Sequence, residues 1–164
     1  MANLLKVSIL ALLLALSTQA DAAPKLDRKA FAASVCAAID KASSTHGLDR
    51  IFFTRLLWKE SLFDPNAVSP AGAEGIAQFM PGTAERRKLE DPFDPLAAIS
   101  ASASFLSDLE KQFGNLGLAA AAYNAGEGRI TRWLAGRSGL PDETEGYVAS
   151  ITGKAADDWK DKSA

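Results

Sequence analysis

The sequence predicts an all-α domain, and three observations carry that prediction. Apolar residues recur at helical spacing through most of the chain. Capping residues and glycine stops bracket those stretches in order, and no alternating polar–apolar run is long enough for a useful strand. From Asp27, the positions Phe31, Val35, Ala38, Ile39 and Ala42 fall at spacings of four, three, one and three, a helical face that Gly47 stops. Asp49 is an N-cap, with Leu48 before it placed to pack on Phe53, so a second helix runs from Arg50 to about Ser61. Asp64-Pro65-Asn66 and Ser69-Pro70-Ala71-Gly72 then break regularity twice. With the small residues from Ala71 to Met80, they predict a small non-helical or short β insert between Phe63 and Pro81. Pro81-Gly82-Thr83 opens a short helix. Asp94-Pro95 starts another, which carries Leu96, Ile99, Ala103, Phe105, Leu106 and Leu109 and ends at Gly114. Leu116 to Asn124 is an alanine-rich helix closed by Gly126, and the last pair spans about Arg129 to Leu134 and Glu143 to Trp159.

Residues 1–22 stand apart from this pattern. Lys6 and the amino terminus are positive, Val7 to Leu16 is apolar, and small residues follow, with cleavage expected after Ala20, Ala22 or Ala23. That is the layout of a secretory signal peptide. The apolar run is too short to span a bilayer, which needs roughly 20 residues, so the expectation is export with no stable membrane anchor afterwards. Residues 23–164, about 140 in all, then form one domain able to bury a core without disulfides. The single cysteine, Cys36, lies in an apolar helical stretch and reads as a small buried hydrophobe.

The chain has 18 basic and 20 acidic residues, which excludes a basic nucleic-acid footprint. One histidine, His46, and one cysteine do not make a His/Cys metal cluster, and no cofactor is expected. Acid–base chemistry must therefore come from carboxylates. Glu60 sits at the C-terminal end of a helix rich in Ile51, Phe52, Phe53, Leu56, Leu57 and Trp58. The negative helix end and an apolar surrounding both disfavour its ionised form and raise its pKa, as a general acid working near neutrality requires. Gly72 and Gly75 bracket a tight path that favours residues without a Cβ.

Glu60-Ser61, Phe63-Asp64-Pro65-Asn66-Ala67, Ser69-Pro70-Ala71-Gly72-Ala73, Gly75-Ile76-Ala77-Gln78-Phe79-Met80-Pro81 and Thr83-Ala84 form one nearly continuous pattern. Ala122-Tyr123-Asn124-Ala125-Gly126 follows, and then Glu143-Thr144 with Tyr147-Val148. In this order the motifs resemble the soluble lytic transglycosylase family, which shares the goose-type lysozyme fold. The resemblance implies a lysozyme-like helical domain with Glu60 as catalytic acid/base. It implies that Ser69 contacts that carboxylate and the substrate's N-acetyl group, and that Gln78 and Met80 hold the glycan. It further implies that Tyr123 and Asn124 shape the site from a facing helix and that the Tyr147 hydroxyl reaches toward Glu60. Where the family often has asparagine before Ile99, glycine at 102 and tyrosine at 105, this chain has Ala98, Ser102 and Phe105. Those differences fall on a helix with none of the proposed catalytic groups.

The activity so implied is periplasmic cleavage of peptidoglycan at the β-1,4 bond between N-acetylmuramic acid and N-acetylglucosamine. One carboxylate serves twice, and the product carries a 1,6-anhydro ring. Peptidoglycan strands are the expected partner. A role in opening the wall locally for a secretion, pilus or flagellar assembly is expected from size and export. Two alternatives stand beside it. One is a lysozyme-type hydrolase, for which Asp64 is the nearest second acid in sequence, although an aspartate there is more often a turn former. The other is a catalytically idle peptidoglycan-binding scaffold, against which an intact Glu60 argues.

Overall fold

The computed structural model describes residues 27–162, and the segment read as a signal peptide lies outside them. Seven α-helices follow in order: α1 Arg28–His46, α2 Arg50–Ser61, α3 Pro81–Arg86, α4 Pro95–Phe113, α5 Leu116–Ala125, α6 Glu127–Leu134 and α7 Asp142–Thr152. A 3-10 segment, Ala156–Lys162, ends the described chain. The expected all-α class holds.

Side-chain caps fix the helix starts. Asp27 accepts from the N–H groups of Lys29 and Ala30, Asp49 from Phe52, Asp94 from Leu96 and Ala97, and Asn115 from Leu118. Each such cap stabilises its helix by about 1 kcal/mol. Gly47 and Gly114 close α1 and α4 in the left-handed conformation, with φ of 69° and 84°.

Helix α5 is the centre of the packing, in contact with α4, α6, α7 and the 3-10 segment. Its run Ala119–Ala122 is buried, and such short side chains let neighbouring helices approach closely. Gly117 belongs to the same logic, because a Cβ there would overlap the Trp159 ring. The same core takes in fully buried Phe53, Leu56 and Leu57 of α2, Ile99, Leu106 and Leu109 of α4, and Val148 of α7. Truncating any of these leucines to alanine is expected to cost about 2–5 kcal/mol.

The structure corrects three expectations. The final helix does not run from Glu143 to Trp159. It stops at Thr152, because Gly153 turns left-handed at φ 73°, and the chain resumes as a separate 3-10 segment. The Asn115 side chain pins that segment by donating to the Trp159 carbonyl at 3.0 Å. Helix α6 begins at Glu127 rather than Arg129, since Gly126 both closes α5 and opens α6. Cys36 is exposed rather than buried. It follows Val35, which is in the core, and one residue turns a helix by about 100°, enough to swing the thiol outward. The insert after α2 is non-helical, as expected, with two isolated antiparallel bridges, Val68 to Glu74 and Glu74 to Phe79.

Candidate active site

The insert is held by hydrogen bonds rather than by regular structure. Ser69 N–H donates to the Ala73 carbonyl and Gly75 N–H to the Ala67 carbonyl, at 2.9 and 2.8 Å. Gly75 has φ 73°, and a Cβ there would collide with the Pro92 carbonyl. Only glycine fits both the angle and the space. Ser61, one residue past Glu60, donates to the Ile76 carbonyl at 2.7 Å and fastens the insert to the end of α2.

Glu60, Ser69, Gln78, Met80, Tyr123, Asn124 and Tyr147 all line one cleft of about 620 Å³. The cleft runs between the insert, the C-terminal end of α2, the end of α5 and the start of α7. Glu60 accepts a short hydrogen bond at Oε1 from the Tyr147 hydroxyl. Burial of the Glu60 carboxyl is the main cause that raises its pKa from the ordinary 4.5 to about 7. The Tyr147 bond and the Lys59 charge pull it back down, and Glu143 adds to the rise. Burial, reinforced by the negative charge of Glu60, holds the Tyr147 hydroxyl well above its ordinary pKa. Tyr147 is therefore a donor and not a base across the neutral range.

The other site residues are held as follows. The Ser69 hydroxyl accepts from Ala73 N–H at 2.9 Å, which leaves its own proton to donate into the cleft. The Gln78 amide nitrogen donates to the carbonyls of Ala67 and Gly75, at 3.1 and 2.9 Å, so its side chain holds the insert and offers only its oxygen outward. Gln78 is also a non-glycine residue at φ 50°, a strained position of the kind that recurs at ligand sites. Met80 is 44 % exposed, an apolar surface at the cleft wall. The Asn124 side-chain oxygen accepts from the Thr144 hydroxyl at 2.7 Å.

Three supporting residues were not assigned a site role from the sequence. Ser102, fully buried on α4, shares a 3.0 Å hydrogen bond with the Tyr123 hydroxyl, which in turn donates to the Ala77 carbonyl at 2.8 Å. Phe105 lies against the Tyr123 ring with centroids 5.3 Å apart. The middle helix, which carries no proposed catalytic group, thus fixes Tyr123. Thr144 is the third, buried and joined to Asn124. Its place beside Glu143 in the third motif is the only signal that marks it. Asp64 is not in this cleft. Its carboxylate accepts from Asn66 N–H at 2.9 Å, the turn-forming role. Among the described residues no group of three or more His, Cys, Asp or Glu is placed to hold a metal ion.

A lysozyme-like helical domain whose cleft closes round a single proton-holding carboxyl is the class that fold and site define. The family model of the transglycosylase SLT domain matches residues 37–145. The chain belongs to that family. It is 36 % identical over 115 residues to the soluble lytic murein transglycosylase of Salmonella typhimurium, covering 57 % of this chain and 18 % of that protein. To membrane-bound lytic murein transglycosylase D of Escherichia coli it is 37 % identical over 110 residues, with 56 % and 24 % covered. The solved structure of an inactive mutant of the lytic transglycosylase Slt from Pseudomonas aeruginosa superposes with a TM-score of 0.64 at 32 % identity. That match covers 70 % of this chain and 22 % of that one. The chain thus spans less than a quarter of the length of these relatives.

Proposed function

We propose that this chain is a lytic transglycosylase that cleaves peptidoglycan between N-acetylmuramic acid and N-acetylglucosamine and leaves 1,6-anhydromuramic ends. The observation that carries the reading is Glu60: a carboxyl with pKa about 7, hydrogen-bonded by Tyr147, in a cleft lined by Ser69, Gln78, Met80, Tyr123 and Asn124. The names of the relatives, lytic murein transglycosylases, support the same substrate.

A carboxyl with that pKa holds its proton in a large fraction of molecules at neutrality and still gives a usable base once ionised. Protonated Glu60 donates to the glycosidic oxygen as the C1–O bond breaks. The N-acetyl group of the muramic sugar stabilises the positive charge at C1, and the Ser69 hydroxyl is the donor that orients it. The ionised Glu60, now stabilised by Tyr147, takes the proton from the C6 hydroxyl of the same sugar, whose oxygen closes on C1. No water is consumed, and Glu60 ends as it began.

Hydrolysis is the second reading. Asp64 does not serve it, being engaged in its turn outside the cleft; Asp142 and Glu143, which line the cleft at the start of α7, are the carboxylates left to activate a water. Digestion of purified peptidoglycan followed by muropeptide mass analysis separates the two. Anhydro ends, lighter than reducing ends by one water, are the expected product, and reducing ends alone would overturn the proposal in favour of hydrolysis.

Export to the periplasm is proposed with it, on the tripartite pattern of residues 1–22. Among the described residues no helix is long and apolar enough to cross a membrane. A service to a secretion, pilus or flagellar assembly is the finer proposal, tested by co-isolation of such an assembly with the exported protein.

A further inference from the structure

The cleft does not end at Met80. Gln78, Met80, Tyr123 and Asn124 line the chamber that holds Glu60 and also line a second chamber of about 420 Å³. The second is completed by Thr83 and Arg86 of α3, Phe105 of α4 and the first turn of α6. The four shared residues make the two chambers parts of one groove.

The two ends differ in charge, the Glu60 chamber being net acidic and the second balanced. The Glu60 chamber is lined by Asp142 and Glu143 as well as Glu60, against Lys59 alone. In the second chamber the only cation is Arg86, with Glu127 as the only acid. The Arg86 guanidinium donates to the Thr83 hydroxyl at 3.0 Å, and Thr83 lines the same chamber, so the charge is held at its wall. No carboxylate lies within ion-pair distance of Arg86 among the described residues. Its neighbour Arg87 is the opposite case, bonded to Asp108 at 2.6 Å and to Ser104 at 3.0 Å, and lying over the Phe105 ring. One arginine of the pair is spent on the fold. The other keeps a planar fork of donors that matches a carboxylate.

We propose that Arg86 is a specificity-determining residue that binds a carboxylate carried by the glycan strand in the second chamber. The inference rests on the reading of the cleft as a peptidoglycan groove. The N-acetyl sugars themselves are neutral, so the anion hangs from the muramic lactyl group, as its free carboxylate on a peptide-stripped strand or as a stem-peptide carboxylate on an intact one.

The test measures binding without cleavage, using the full chain carrying Glu60→Gln. Three probes are titrated: strands with stem peptides, strands stripped of peptide by an amidase, and a neutral β-1,4 oligomer of N-acetylglucosamine. Adding Arg86→Gln is expected to weaken binding about tenfold for at least one carboxylate-bearing probe, with the neutral oligomer unchanged and Arg86→Lys restoring part of the loss. Loss on intact strands assigns the stem carboxylate, and loss on stripped strands the lactyl carboxylate. Equal affinity of the two proteins for both charged probes, or an equal loss on all three, overturns the inference. Failure of the parent protein to bind any probe overturns the peptidoglycan reading as well.

Discussion

One wall of the cleft is made of helix ends and the other of irregular backbone, and the two do different work. On the first wall Glu60 and Tyr147 project from α2 and α7, helices anchored by fully buried Phe53, Leu56, Leu57 and Val148. On the second, residues 62–80 turn through positive φ at Leu62, Phe63, Gly72, Gly75 and Gln78. They are tied down by side chains: Gln78 to two carbonyls, Ser61 to Ile76, and Tyr123 to Ala77. A proton-holding group needs dehydration, which packed helices supply. A sugar needs hydrogen-bonding partners, and a helix spends most of its backbone groups on itself. Irregular backbone leaves such groups available once side chains have made it rigid.

The largest break in this comparison is Glu60→Gln. Activity is expected to fall by 10³-fold or more, because one group serves as both acid and base. Stability moves the other way. The pKa of Glu60 is raised on folding, so the folded chain binds a proton that the unfolded chain has released between pH 4.5 and about 7. Stability therefore falls as pH rises through that window, by up to about 3 kcal/mol in full. Thermal melts are expected to coincide for parent and variant near pH 4.5, and the variant is expected to be the more stable at pH 8.

Next comes the second wall. Gly75→Ala adds a Cβ at φ 73° against the Pro92 carbonyl and is expected to destabilise by about 3 kcal/mol, read by denaturant titration. Tyr147→Phe returns to the first wall. It removes the bond that stabilises the ionised Glu60, so rate is expected to fall about tenfold. The fall in kcat/KM with rising pH, centred near pH 7 in the parent, is expected to move up by about one pH unit. Ser102→Ala is the smallest, about 1 kcal/mol of stability with activity changed only a few-fold, since Tyr123 keeps its bond to Ala77.

The two walls were also unequally legible in the sequence. Local signals were sufficient for the helices: Asp27, Asp49 and Asp94 cap where a short polar side chain precedes an apolar period, and Gly47 and Gly114 stop where expected. Gly153 leaves no mark in the apolar spacing, which continues past it toward Trp159, and only its left-handed φ ends the helix. Cys36 misled because apolar neighbours in sequence lie on several faces of a helix. At the site, the motif pattern named the residues that line the cleft. It missed how they are held, since Ser102 meets Tyr123 across 21 positions and Thr144 meets Asn124 across 20, separations that leave no periodic trace.

The central claim is that Glu60 keeps its proton to near neutrality inside the folded chain. Selective ¹³C labelling of glutamate side chains, with the Glu60 resonance assigned by its absence in Glu60→Gln, follows that proton directly. The account predicts a midpoint of about 7, rising further in Tyr147→Phe. A midpoint near the ordinary 4.5, unmoved by the tyrosine substitution, would contradict it.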